Sequence, residues 1–215
     1  IDDLSHDGRG VAHVDGKAWF VTGGLPGERV RARRTGKHRQ FDEAEVTEVL
    51  QASVERVTPQ CAHFGVCAGC SLQHLAPGAQ ILAKQRTLLE NLERIGHVTP
   101  TRVLEPLQGA SWGYRRRGRL SAKWVEKKGR MLVGFRETNG RFVADLSRCP
   151  VLHPAIGERI ESLAHLIEGM DARASIAQIE FAVGDDTGAL VFRHLVELGA
   201  PDRARLVAFA QETGL

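Results

Sequence analysis

No run of apolar residues in this chain is long enough to span a bilayer, and it opens on Ile1 without a basic and apolar leader. Neither membrane insertion nor secretion is supported, and a cytoplasmic setting is expected. Cysteine is scarce. Four thiols in 215 residues are too few for a disulfide scaffold, and in a reducing compartment a local CxxC points instead to metal binding or redox chemistry. Internal repeats and low-complexity tracts are missing as well. What remains, 42% apolar and 26% charged residues, is the composition of a folded protein with one sizeable core or two modest domains.

The net charge of +3 conceals an uneven distribution. Arg29 to Arg39 holds six basic residues and no acidic one. From Arg102 to Arg148, Lys and Arg outnumber Asp and Glu by 12 to 4, and beyond Pro150 the balance reverses to 5 against 10. Two basic stretches flanking the cysteines in sequence suit a polyanionic partner.

Residues 1–56 read as a small all-β unit. Val11–Val14 leads through an Asp15-Gly16 turn into Ala18–Val21, Gly23-Gly24 and Pro26-Gly27 mark a further turn, and Arg29–Arg34 and Ala44–Val49 supply two more strands. Such a pattern suits a small barrel of the kind that binds single-stranded nucleic acid. Residues 57–76 form a cysteine-rich loop in which Pro59, Gly65 and Gly69 oppose regular structure. Within 77–100 a linking helix is expected, since Ile81, Leu82, Leu88, Leu89, Leu92 and Ile95 recur at helical spacing. Residues 101–215 read as an α+β region. Its strands are expected at 102–104, 114–124, 131–136, 142–144, 176–183 and 189–193, with one helix from Pro154 through Ile167 and another from Asp202.

Cys61, Cys67 and Cys70 follow a C-x5-C-x2-C spacing, and Cys149, followed by Pro150, lies far downstream. Three local soft ligands and one distant one suit a tetrahedral thiolate centre that pins a long excursion onto a small loop. A thioredoxin-like redox pair fits poorly, because Ala62 to Val66 does not resemble a strand leading into a helix. Zinc is the rival to iron and sulfur, with His63 or His74 near enough to replace a thiolate, and four unrelated buried thiols are the plain alternative.

These residues carry a family resemblance. Cys61, Cys67, Cys70 and Cys149, in this order and context, are similar to the iron-sulfur ligands of the bacterial 23S ribosomal RNA (uracil-C5)-methyltransferases, in particular the type acting on uracil 1939. Leu4 to Ala12 and Gly24-Leu25-Pro26-Gly27-Glu28 resemble the opening of the TRAM domain, Cys67 to Leu75 the segment of the second and third ligands, and Gly134-Phe135-Arg136 with Asp145 to Leu152 the central domain and fourth ligand. The resemblance implies a multidomain architecture: an OB-like TRAM barrel, a [4Fe-4S] loop bound by Cys61, Cys67, Cys70 and Cys149, and an α+β central domain. It also implies 23S rRNA as partner, a monomer, and transfer of a methyl group from S-adenosylmethionine to C5 of uracil. In that chemistry a cysteine adds to C6 and a carboxylate removes the C5 proton, within a Rossmann-like domain downstream. This chain has no spare cysteine and no glycine-rich cofactor loop of the family kind, so the resemblance covers the N-terminal and central portions only, expected to be inactive alone. A stand-alone RNA-binding module, with cluster or zinc, is the alternative.

Two candidate RNA patches follow. Arg29, Arg31, Arg33, Lys37 and Arg39 project from one, where alternation sends the arginines to one face and Val30 and Ala32 to the other. Tyr114, Arg115, Arg116, Arg117, Arg119 and Lys123 make the other, where guanidinium groups meet phosphates and Tyr114 or Trp124 stacks on an unpaired base.

Overall fold

Asp15 and Gly16 sit at positive φ, 52° and 76°, the left-handed geometry that a two-residue hairpin turn demands. They join β2 (Gly10–Val14) to β3 (Lys17–Thr22) in the computed structural model, which describes all residues from Ile1 to Leu215. The chain divides into two compact units, Ile1–Gln60 with Cys70–Gln108, and Cys61–Gly69 with Gly109–Leu215.

In the first unit β1 (Asp3–Leu4), β4 (Arg29–Lys37) and β5 (Phe41–Gln51) complete a five-stranded sheet of order β1-β2-β3-β5-β4, with β3 and β5 parallel and the other neighbours antiparallel. The edges, β1 and β4, do not pair, so the sheet is open and the expected barrel is corrected. A two-residue β1 offers too short a ladder to close against a nine-residue β4. Helix α1 (Pro77–Arg94) follows, with Pro77 at its first turn, where no amide hydrogen is needed.

A buried carboxylate ties this unit together. The Glu28 side chain, fully enclosed, accepts hydrogen bonds from Arg56 Nε (2.5 Å) and Nη2 (2.7 Å), from the Leu25 amide (2.9 Å) and from the Ser53 amide (3.2 Å). Arg56 also donates to the Gly23 carbonyl at 2.6 Å. Val57 N donates to His74 O and Ala76 N to Glu55 O, joining the strand exit to the approach of α1. Burial alone would raise the Glu28 pKa, but the Arg56 hydrogen bonds and the two amides outweigh it and hold the carboxyl below its usual range. His74 is buried too, and desolvation, reinforced by the Arg56 charge, pushes its imidazole down to about 4.

The second unit is built on a four-stranded antiparallel sheet of order β7-β6-β8-β9, comprising β6 (Arg117–Val125), β7 (Arg130–Gly134), β8 (Ile176–Val183) and β9 (Gly188–His194). Helix α3 (Ile160–Glu168) buries Ile160, Leu163, Ala164 and Ile167 and packs on β7. The helix expected from Pro154 through Ile167 is interrupted: α2 (Pro154–Gly157) ends where a Cβ on Gly157 would lie 2.3 Å from the Cys149 carbonyl oxygen. Helix α4 (Ala200–Thr213) closes the chain, its buried Asp202 accepting from the Asp171 and Ala172 amides. Residues 102–104 form no strand, and of 142–144 only Val143 makes a bridge, to Arg136. No helix is long and apolar enough to cross a membrane.

Replacing Glu28 by Gln leaves Arg56 without its counter-charge. It is expected to cost about 3 kcal/mol, measured by urea unfolding through Trp19 fluorescence in a W112F/W124F background. Acid acts on the same network. His74 titrates near 6.5 when unfolded and about 4 when folded, so stability present above pH 6.5 is lost as pH falls through 4, on the order of 3 kcal/mol. The depressed Glu28 adds to the loss at the acid end. His74→Gln should flatten the stability profile between pH 6.5 and 4.

Candidate nucleic-acid interface

Strand β6 has a neighbour on each side, and its two faces differ in kind. Gly118, Leu120, Ala122 and Trp124 point one way. Leu120 and Ala122 are buried there, together with Met131 and Val133 of β7 and Ile179 and Phe181 of β8. Arg117, Arg119, Ser121 and Lys123 point the other way, and the three cations are exposed. Cross-strand partners share a face, so Glu180 and Val191 extend the Arg119 rung while Gln178 and Arg193 extend that of Ser121.

The outward face therefore carries Arg117, Arg119, Lys123 and Arg193, with Glu180 the carboxylate that answers Arg119 and Arg193. Glu180 accepts from Arg193 at 2.5 Å and lies 3.8 Å from Arg119. Arg117 and Lys123 have no carboxylate within 4 Å. The sequence reading missed Arg193, because its place beside the basic row depends on the β8–β9 register.

The rest of the basic run is anchored differently. Arg115 lies over the Phe135 ring at 5.2 Å, donates its Nε to the Arg117 carbonyl, and forms a parallel bridge with Leu152. Arg116 donates to Gly184 O at 2.7 Å and pairs with Asp185 at 3.3 Å, holding the β8–β9 turn. Trp124, on the inward side, is covered by the Arg173 guanidinium at 4.9 Å. Tyr114 is 58% exposed and precedes the strand.

In the first unit β4 displays its arginines as alternation requires, but β5 answers them. Arg31 pairs with Glu48 at 2.6 Å, Arg33 with Glu45 at 3.3 Å and Arg34 with Asp42 at 3.4 Å. Arg29, Lys37 and Arg39 have no such partner, so the exposed cationic excess of this patch is about half what the run 29–39 suggests. Trp19 and Phe20 are both half-buried, Phe20 edge-on to Phe41 and under Arg9 at 4.8 Å.

The cysteines do not form the expected centre. No three His, Cys, Asp or Glu side chains converge so as to hold a metal ion, and the expectations of a [4Fe-4S] cluster and of metal binding are corrected. Cys61 and Cys67 lie in the second unit with buried Cys149, whereas Cys70 belongs to the first. Main-chain hydrogen bonds order the loop instead: Phe64 N to Cys61 O, Cys67 N to His63 O, Ala68 N to Arg136 O and Thr138 N to Val66 O. His63 Nε2 lies 3.2 Å from both the Ser147 amide and its hydroxyl.

A TRAM domain matches residues 1–47. The whole chain is 60% identical over 217 residues to the 23S rRNA (uracil(1939)-C(5))-methyltransferase RlmD of Xanthomonas euvesicatoria pv. vesicatoria and 57% identical over 218 residues to that of Xylella fastidiosa, covering 49% of each. The crystal structure of the Pyrococcus abyssi tRNA (uracil-54, C5)-methyltransferase in complex with S-adenosyl-L-homocysteine shares the fold over 94% of this chain and 47% of that one, with a TM-score of 0.63 and 23% identity. The chain thus bears a TRAM domain and matches, over its whole length, the N-terminal half of the RlmD family of 23S rRNA methyltransferases. It spans about half the length of the curated relatives it matches.

Gly118 keeps the basic row in place, since a Cβ there would lie 2.8 Å from Phe181 Cζ. Gly118→Ala should displace that ring and cost roughly 1–3 kcal/mol, measured by chemical denaturation through Trp124 fluorescence.

Proposed function

We propose that this chain is the RNA-holding half of an S-adenosylmethionine-dependent methyltransferase that forms 5-methyluridine in 23S ribosomal RNA, acting in the cytoplasm. The observation that carries this reading is the alignment of the whole chain, at 60% identity, with a 23S rRNA methyltransferase twice its length. The outward row of β6 supports it physically. Arg117 and Arg119 stand about 7 Å apart on one face of the strand and Lys123 about 13 Å further along it, past Ser121, spacings on which phosphates of a bound strand can be met. Tyr114 offers a stacking surface near the start of the row, and Arg29, Lys37 and Arg39 add cations from the TRAM unit. The share of the chain is to bind and orient RNA. The resemblance implies that the nucleophile, the base and the cofactor site lie in the portion of such enzymes that this chain does not span.

Equilibrium binding to a 23S rRNA fragment containing the target uracil tests the reading. Affinity should fall steeply with salt, and Arg117→Glu with Lys123→Glu should lower it roughly tenfold or more while reducing the slope of log K against log salt by about 0.7–0.9 per lost phosphate contact. With S-adenosylmethionine added, the chain alone should transfer no methyl group. Binding that ignores both salt and charge reversal would overturn the reading.

A further inference from the structure

A tight hairpin leaves the second sheet at the end of β7 and returns through Val143. Its backbone is over-determined. Glu137 N donates to Phe142 O (2.9 Å), Gly140 N to Glu137 O (2.8 Å) and Arg141 N to Asn139 Oδ1 (2.9 Å), while Asn139 Nδ2 reaches Glu137 Oε2 at 3.1 Å. Gly140, at φ 71°, supplies the left-handed turn residue. The loop of residues 61–69 braces it from the side, through Ala68 N to Arg136 O, Thr138 N to Val66 O and a Cys67–Glu137 bridge. On this fixed frame the Phe142 ring is 62% exposed, although the adjoining Val143 and Ala144 are buried. A lone exposed apolar side chain is ordinary on a protein surface; what sets Phe142 apart is its place on an ordered turn among exposed arginines. The nearby Arg136, Arg141 and Arg148 are all exposed, and none has a carboxylate within 4 Å.

The hairpin also lies on the basic side of the sheet. Gly134 is the cross-strand partner of Ser121 and so shares its outward face. A Cβ on Gly134 would meet Ala144 O at 2.4 Å and Leu146 Cγ at 2.8 Å, which puts the return limb over that face, beside the row of Arg117, Arg119 and Lys123.

We propose that Phe142 is a stacking platform for one unpaired base of bound RNA, with the phosphates on either side held by Arg136 and Arg141. This rests on the RNA-binding reading above and makes it specific: the surface prefers single-stranded RNA to duplex. A phenyl ring stacks on any base but not on paired bases inside a helix.

The test uses the whole chain and a short single-stranded RNA carrying one 2-aminopurine, with the matching duplex as control. Wild type should quench the 2-aminopurine on binding. Phe142→Ala should reduce that quenching and weaken single-strand binding roughly tenfold, leaving duplex affinity, salt slope and thermal midpoint unchanged. Phe142→Tyr should retain both affinity and quenching. Unchanged single-strand affinity and quenching in Phe142→Ala would overturn the stacking role while leaving the RNA reading intact. A parallel loss on duplex, or a lowered thermal midpoint, would also overturn it, marking the ring as structural. Absence of salt-dependent binding by wild type would remove both readings together.

Discussion

The two-residue period of β6 is the constraint on which the second unit depends. Because successive side chains alternate, the strand that buries Leu120 and Ala122 is obliged to turn Arg117, Arg119 and Lys123 outward. The inner row lies in the core to which α3 adds Ile160, Leu163 and Ile167. A one-residue slip of β6 would bury three cations and expose that core, so the register is held by the full hydrophobic gain of the face. The geometry of the basic row is thereby as stable as the core beneath it. A cationic surface on a central strand needs no separate device to stay in order.

In the first unit the same alternation yields a different surface, since the neighbouring strand decides what an exposed arginine can do. Opposite Arg31 and Arg33 stand Glu48 and Glu45, each in direct cross-strand register. Such exposed pairs add little to stability, but they cancel charge locally and shorten the reach of the field. Arg117 and Lys123, facing no carboxylate, keep theirs. In the second patch Arg116 and Arg119 likewise meet Asp185 and Glu180, so in both patches the count of basic residues in sequence overstates the charge left unanswered in the fold. The tie that shapes the first unit is the enclosed Glu28, whose two oxygens each receive one Arg56 nitrogen and one backbone amide. That arrangement meets the condition under which a buried carboxylate is tolerable.

Much of this was legible from local pattern. The Asp15-Gly16 turn, the strands on either side of it, the helix over Ile81–Ile95 and the hairpin at Gly184–Gly188 all follow from residue chemistry within a few positions. What failed depended on distant partners. Closure of the first sheet needed β1 and β4 to meet, and no local signal tells that β1 is only two residues long. At the break after Gly157 the Gly157 carbonyl accepts from the Cys149 amide at 2.9 Å instead of from the next helical turn, a contact between residues eight apart that the absence of a Cβ on Gly157 leaves room for. The pairing of β4 arginines with β5 glutamates, and the arrival of Arg193 beside Glu180, are register facts. The cysteine spacing admitted several centres, and ligand convergence is a property of three dimensions that spacing cannot settle.

The loop of residues 61–69 shows how a glycine-rich segment keeps a shape by main-chain bonding. Its amides at Phe64, Val66 and Cys67 turn back to carbonyls of Cys61 and His63, while that of Ala68 donates to the Arg136 carbonyl of the hairpin that carries Phe142, and the hairpin's Thr138 amide donates to Val66 O. Each polar backbone group bonded in this way avoids the cost of desolvation without a partner. The exchange is reciprocal, because the hairpin supplies the Arg136 carbonyl and the Thr138 amide that fix the loop, and the loop in turn limits the freedom of the hairpin. An exposed ring loses less entropy on meeting a ligand when its backbone is already ordered. A segment that appears in sequence as a candidate centre therefore acts in the fold as a brace, and the residues it positions are the ones that face solvent beyond it.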